Sequence, residues 1–322
     1  MNERTALNSN RSFPPIFILA VGILAVSTAS LFIRFAQVEA PSLVIAAGRM
    51  LVATIVIAPV ALLKHREELK RLTKKQILLL ALGGIFLGFH FATWITSLEY
   101  TSVASSVVLV TTAPLWVAIF APLVLKEKIT RNLLLGLAIA LTGSVVVTLS
   151  SNCSFAGGGF SCSAFAQAFQ GRAFIGNGLA LLGAFLSAGY LMVGRVSRGN
   201  LSLPAYAFVV YGVAALVLIV LVAISGKQVT GYHPQIYLWL IALGLIPQLI
   251  GHSSFNWALK YLPATYVSIA LLGEPIGTVI LAFLFLAESP SVLEVAGGVM
   301  ILAGILVSSQ TRKAEYVEET QL

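Results

Sequence analysis

Ten long apolar stretches fill most of this chain, and nothing constrains its fold more. They run over residues 14–36, 41–63, 76–98, 102–125, 132–150, 173–194, 203–224, 235–258, 265–286 and 291–309. Each is close to the roughly 20 residues an α-helix needs to cross a bilayer. In hydrocarbon every backbone N–H and C=O must be met from within, which leaves helices as the way to build such runs. Of the 322 residues only 10% are charged, against roughly 25% in soluble domains. The expected fold is an all-α polytopic membrane protein of ten transmembrane helices. Residues 1–13 and 310–322 read as short tails and 151–172 as the longest loop, which excludes a sizeable extramembrane catalytic domain. Ile16–Phe35 exceeds the about 7–15 apolar residues of a signal peptide, so it reads as a retained first helix.

The net charge of +8 is distributed as a membrane topology, not as a nucleic-acid surface. With the N-terminus inside, every Lys and Arg except Arg34, Arg172, Lys227 and the intraspan Arg49 falls on the cytoplasmic side. That asymmetry sets the orientation and leaves both termini cytoplasmic. The basic stretch Lys64–Lys75 is a solvated loop or a contact for anionic headgroups. Cys153 and Cys162 share the external loop, where disulfides persist. Gly157–Gly159 between them lets a short ring close, and two free thiols are the alternative.

The chain also repeats itself. Leu98-Glu99-Tyr100 returns as Leu259-Lys260-Tyr261, an offset of 161, and the same offset aligns Pro114 with Pro275, Glu127 with Glu288, Gly136 with Gly297, Gly143 with Gly304 and Arg34 with Arg195. Pro41 and Pro204 start spans 2 and 7, with a drift of two residues. Residues 14–150 and 173–309 are therefore two halves of five spans each. Five is odd, so the second half enters the membrane inverted. Inverted repeats belong to secondary transporters, whose sites lie near the midplane between the repeats.

Leu98–Pro114 followed by Glu127, and Leu259–Pro275 followed by Glu288, resemble the EamA family of the drug/metabolite transporter superfamily. Arg49 in span 2 fits the same pattern, and the resemblance covers about residues 14–309. It implies two inverted five-helix repeats around a central cavity lined mainly by spans 1, 3, 4, 6, 8 and 9. It also implies alternating access and export of small metabolites or amino acids, but no particular substrate. Glu-Pro in span 9 is itself common in the family. The polar content of spans 3 and 8 and the long external loop depart from the plain pattern.

Polar groups inside the spans are the candidate site. Glu274 lies within the apolar run Tyr266–Leu286, where a carboxylate costs about 2.5–3.5 kcal/mol on insertion scales. Pro275 follows it and removes a helix hydrogen bond. Glu274 is thus a candidate for solute binding and proton coupling, or else a carboxyl bonded locally around Pro275. Gln248, His252 and Asn256 fall at i, i+4 and i+8, on one face of an α-helix. They form a cavity wall or interhelical bonds worth about 0.6 kcal/mol each. His90 and Trp94 stand one turn apart, with Ser97 following. His90 can relay a proton and Trp94 can stack on a ligand, or Trp94 anchors at the interface and His90 packs.

Ser105, Ser106, Thr111 and Thr112 precede Pro114 and meet either solute or carbonyls freed by the proline. Tyr190, Tyr206 and Tyr211 are further wall candidates. Arg49 must pair, snorkel or face water. Its structural reading pairs it with helix carbonyls or an acid such as Glu39 or Glu99, and a clamp on an anionic solute is the other reading. Pro114 and Pro275 bend their helices, and Glu127 and Glu288 read as gating or capping residues.

The chain has no Gly-x-x-x-x-Gly-Lys-[Ser/Thr] phosphate loop, no His-Glu-x-x-His and no Asp, so neither ATP hydrolysis nor membrane-embedded catalysis is expected, and no metal or cofactor. The expected function is secondary active transport of a small organic metabolite, an amino acid or related compound, with Glu274 and His90 or His252 carrying a coupled proton. A passive facilitator or channel is the alternative. The expected partners are a small-molecule substrate and the lipid bilayer, with no nucleic acid, and the chain as monomer or homodimer. The expected location is the bacterial inner (plasma) membrane.

Overall fold

The computed structural model describes residues 14–101, 103–150, 153–156, 159–162, 171–286 and 291–320. The 1–13 tail, Glu288 and much of the 151–172 loop lie outside the described residues. Among the described residues, nine helices are long and apolar enough to cross a membrane. They are span 1 (Pro15–Ala36), span 2 (Ser42–Lys64), span 3 (Lys74–Tyr100), span 4 (Ser105–Val124), span 6 (Gly171–Arg198), span 7 (Leu203–Ser225), span 8 (Pro234–Ala258), span 9 (Ala264–Leu281) and span 10 (Val292–Gln310). Span 5 is the shorter apolar helix Arg131–Val147. The chain is an all-α polytopic membrane protein, with its spans in the order the apolar runs require. Among the described residues, strands occur only in the loop between spans 5 and 6, as a hairpin of Cys153–Ala156 and Gly159–Cys162. Span 10 continues helical through Thr320, where Ala314, Glu315, Glu318 and Glu319 are tolerable to good helix formers.

The helix ends explain why the spans begin where they do. Pro15, Pro204 and Pro234 stand in the first turns of spans 1, 7 and 8, positions that need no amide donor. Span 3 starts with a capping box, in which the Thr73 hydroxyl accepts from Gln76 N at 3.3 Å and Gln76 Oε1 accepts from Thr73 N at 2.9 Å. Other first turns are met by glutamates from elsewhere in the chain. Glu99 accepts from Ser42 N at 3.0 Å, Glu39 from His233 N at 2.8 Å, and Glu68 from both the amide and hydroxyl of Ser202 at 2.6 Å. Glu39 and Glu99, expected as partners of Arg49, are thus spent on helix starts at the outer ends of the bundle.

Glu127 extends the pattern across the repeat. Lys126 takes a left-handed φ of 58°, a turn that costs a residue with a Cβ. The chain then presents Glu127 to span 9, where it accepts from Ala264 N at 3.1 Å and the Thr265 hydroxyl at 3.0 Å. Arg195 Nε reaches the same carboxylate at 3.2 Å, and Arg195 Nη1 donates to Leu259 O at 2.9 Å. One carboxylate therefore ties spans 4, 6, 8 and 9 together.

The repeat is visible in the packing. Span 5 lies against span 10, span 3 against span 6, and span 2 against span 7. Spans 5 and 10 approach through backbone. A Cβ on Gly136 would stand 2.4 Å from Gly304 O, and one on Gly143 would stand 2.6 Å from Gly297 O. The sequence repeat pairs Gly136 with Gly297 and Gly143 with Gly304, so these two contacts are one contact seen twice through the inversion. Small residues let membrane helices close this far. Gly136→Leu is expected to force the two backbones apart and cost about 1–3 kcal/mol. A clear drop in the thermal unfolding temperature of the purified protein in detergent checks this, with Leu134→Ala, an exposed residue on the same helix, as the neutral comparison.

Candidate functional site

Three spans are interrupted near the middle of the bundle. Span 1 breaks at Ser27–Thr28, span 4 at Thr111–Thr112, and span 9 at a 3₁₀ turn over Leu271–Gly273. The last two interruptions are equivalent in the repeat, and each stands directly before its proline, Pro114 or Pro275. Carbonyls freed by such breaks need other donors. Thr111 donates to Val108 O at 3.0 Å, Thr112 to Leu109 O at 2.6 Å, and the Ser27 hydroxyl to Ile23 O at 2.7 Å. Ser27 also reaches Glu274 O at 2.9 Å, so the breaks of spans 1 and 9 meet. Glu274 is the first residue of the helical segment that resumes after the turn.

A cavity opens beside these breaks. Its wall contains Val26 and Ala29 of span 1, His90 and Trp94 of span 3, and Thr111, Ala113 and Pro114 of span 4. Ser187 and Leu191 come from span 6, His252 and Phe255 from span 8, and Ser268, Leu271, Leu272 and Glu274 from span 9. These are the six spans that the resemblance implies. Span 2 adds one residue to them, Arg49. The volume open to the centres of water-sized molecules is about 60 Å³, room for roughly four to six waters. The repeat equivalent of Glu274 is Ala113, so a carboxyl stands on one side of the pseudo-symmetric wall and a methyl on the other.

The sequence candidates divide into wall and frame. Trp94 stands in the wall, stacked on His90 with ring centroids 5.9 Å apart, and is 5% exposed. It is not an interfacial anchor. His90 Nδ1 lies 2.9 Å from Gly183 O. A carbonyl only accepts, so Nδ1 carries the proton in that bond. Phe91 sits between the two histidines, 4.9 Å from His90 and edge-on to His252 at 5.3 Å. Phe91 and His252 are equivalents at the offset of 161, so the inversion axis passes near their contact.

Gln248 and Asn256 do not reach the cavity wall. Residues Gly244–His252 are wound as a π-helix that includes Pro247. This wider i→i+5 winding spreads the i, i+4, i+8 stripe over different neighbours. Gln248 Oε1 accepts from Arg49 Nε at 2.9 Å. Asn256 accepts from the Tyr190 hydroxyl at 2.8 Å and donates to the Tyr211 hydroxyl at 3.1 Å. Tyr190 and Tyr211 are consequently fully buried frame residues, and Tyr206 is buried behind the wall as well. Ser97 and Ser106 bond each other at 2.6 Å, linking spans 3 and 4. Asn256→Leu is expected to remove the acceptor of the Tyr190 hydroxyl and one of the bonds of the Tyr211 hydroxyl, which keeps Ser253 Oγ at 3.0 Å, and to cost about 1–2 kcal/mol. Thermal unfolding in detergent reads this, and Asn256→Gln should recover less than half of the loss.

Arg49 is the residue whose placement differs most from its structural reading. It is fully buried, and among the described residues no acid forms an ion pair with it. Its Cζ lies 4.1 Å from the centroid of Phe91, a cation–π contact. Beyond the bond to Gln248, Nη1 and Nη2 have no partner, and neither do Trp94 Nε1 and His252 Nδ1. Phe91, Ser187, Phe255 and Ser268 were not separable from packing residues in the sequence. The one available signal was that Ser187 and Ser268 are small polar residues within apolar runs. No group of three or more His, Cys, Asp or Glu side chains able to hold a metal occurs among the described residues.

A model of the EamA-like transporter family matches residues 13–149 and again residues 174–310, two matches standing 161 residues apart. An uncharacterised transporter of Clostridium kluyveri is 23% identical over 82% of this chain and 82% of its own length. One of Archaeoglobus fulgidus is 24% identical over 71% of this chain and 74% of its own. A solved crystal structure with 19% sequence identity superposes with a TM-score of 0.73, covering 94% of this chain and 98% of that one, which establishes the fold. Repeat, inversion, cavity and family match agree: the chain is a multi-pass membrane transporter belonging to the EamA-like transporter family.

Proposed function

We propose that this transporter is a secondary carrier that moves a small organic metabolite by alternating access and couples the movement to protons. The observation that supports this best is the central cavity, which is lined from both halves and carries one carboxyl, Glu274, at a helix break. A carboxyl in hydrocarbon is expensive when charged. It is therefore suited to holding a proton in one state of the carrier and giving it up in another. His90 and His252 face the same space and can share that role. Amino acids or related polar compounds suit a wall that combines aromatic rings with polar groups. In this reading the protein lies in the plasma membrane with both termini cytoplasmic, which the cation distribution supports, and works as a monomer or homodimer. Cys153 and Cys162 stand opposite each other in the external hairpin register. The Cα spacing of such cross-strand pairs, about 4.5–5.5 Å, falls within the range a disulfide bridges, and we assign them as one.

Proteoliposomes loaded with a pH indicator test the coupling. Addition of a panel of amino acids and related metabolites should drive proton movement through the wild type and none through Glu274→Gln. Solute flux without protons, unchanged in the variant, would leave a passive facilitator.

Glu127 is proposed as the latch of the cytoplasmic side, because it joins the ends of four cavity-forming spans. Glu127→Gln keeps one acceptor oxygen for span 9 but loses the charge that holds Arg195. A single cysteine at Ser268, placed in a background with Cys153 and Cys162 replaced by Ser, should then react faster with an impermeant maleimide in inside-out vesicles. An unchanged rate would reduce Glu127 to a helix cap.

A further inference from the structure

We infer that Arg49 is a substrate-binding residue and that the transported solute carries a carboxylate, which sits on Nη1 and Nη2. This deepens the carrier reading above and rests on it. The guanidinium has five N–H donors. Only Nε–H is satisfied, by the neutral oxygen of Gln248. The Phe91 ring covers one face of the cation, and Arg49 lines the cavity while its two terminal nitrogens are buried with nothing to bond. A buried charge without hydrogen bonds is among the costliest arrangements in a protein. A structural arginine in this position would spend those donors on backbone carbonyls, as Arg198 does on Asn256 O and Leu201 O.

The geometry of the unmet donors selects the ligand chemistry. Two terminal nitrogens in one plane match the two oxygens of a carboxylate. Trp94 lines the same cavity, and its Nε1, also buried and unpartnered, is a third unmet donor. Glu274, the one acid among the described residues of the wall, attracts the guanidinium across the cavity but makes no ion pair or hydrogen bond with it, so it leaves the Nη donors unmet. It is left to meet a proton or a positively charged group of the same solute. The indole, phenyl and imidazole rings around Arg49 provide the apolar remainder. Both Nη atoms are closed to water in this conformation, so the solute reaches them when the wall parts during the transport cycle.

The test uses purified full-length protein and matched probes: free amino acids, the corresponding amino acid amides, the corresponding acids lacking the amino group, and sodium chloride. Thermal stabilisation in detergent and counterflow in proteoliposomes are read together. The wild type should prefer an acid over its amide by about 10–100-fold, the range that charged hydrogen bonds supply. Arg49→Gln should lose that preference while unfolding at the same or a higher temperature, because it removes a buried charge that is unpaired in the empty state. A strongly destabilised Arg49→Gln, with wild-type binding of acid and amide alike, would make Arg49 structural and overturn the inference. The acid–amide comparison on wild type needs no variant, and Trp94→Phe, which removes only the N–H and part of the ring, should weaken acids more than amides. Saturable transport of amides at the same affinity as acids would overturn the carboxylate anchor and leave the carrier reading intact. Chloride stabilising the protein as well as any carboxylate would assign Nη1 and Nη2 to an inorganic anion and overturn it too. Movement of no solute by the wild type, acid or amide, would overturn both readings.

Discussion

A backbone amide without a partner costs several kcal/mol in hydrocarbon, and the way this chain meets that constraint determines its architecture. Helix interiors satisfy themselves, while helix starts do not. Here the donors at those starts are met by glutamates from other parts of the chain. Glu99 serves span 2, Glu68 span 7, Glu39 span 8 and Glu127 span 9. Each of these bonds also fixes the distance between two helices. The charge that the sequence spends sparingly is placed where it caps and ties at once, which leaves Arg49 and Glu274 as the charged side chains of the cavity wall.

The inversion carries through to single hydrogen bonds. Gln37 Nε2 donates to Ile95 O at 3.2 Å, and Arg198 Nε donates to Asn256 O at 3.0 Å. Donors and acceptors in the two bonds both differ by 161 residues, and the two bonds lie at opposite ends of the bundle. The duplication has also been edited. The equivalent of Glu99 is Lys260, which cannot accept an amide, and span 7 is capped instead by Glu68 from the loop helix Arg66–Lys70. An equivalent exchange puts Glu274 opposite Ala113. Where the halves agree they build scaffold, and where they differ in the wall they create direction and chemistry.

Much of this was legible in the sequence because it depends on period and length. The ten spans followed from apolar runs, and the inversion followed from an odd number of spans per repeat. The breaks at Thr111–Thr112 and Leu271–Gly273 followed from Pro114 and Pro275. The wall was legible only in part. His90, Trp94, His252 and Glu274 reach it, whereas Gln248 and Asn256 do not. The helical-wheel reading of span 8 assumed 3.6 residues per turn, and the π-helical winding around Pro247 rotates those side chains onto Arg49, Tyr190 and Tyr211. Local propensity carries no clear signal for that winding, whose segment packs on spans 1 and 2.

Arg49 shows why the partner of a buried charge is the hardest feature to read from a chain. An acid, a row of helix carbonyls, a water file and a solute all satisfy the same physical requirement, and sequence separation says nothing about which of them is near. Glu39 and Glu99 lie at plausible depths, but each is claimed by a helix start whose amides are closer. Among the described residues the one acid left in the cavity wall is Glu274, which attracts the guanidinium without bonding to it. Two complementary charges facing one cavity without touching are costly for an empty protein. They become favourable when a third body separates and satisfies them. On this view the instability of the empty site and its capacity to bind are the same property, and the unmet donors of Arg49 belong to the transport cycle rather than to the scaffold.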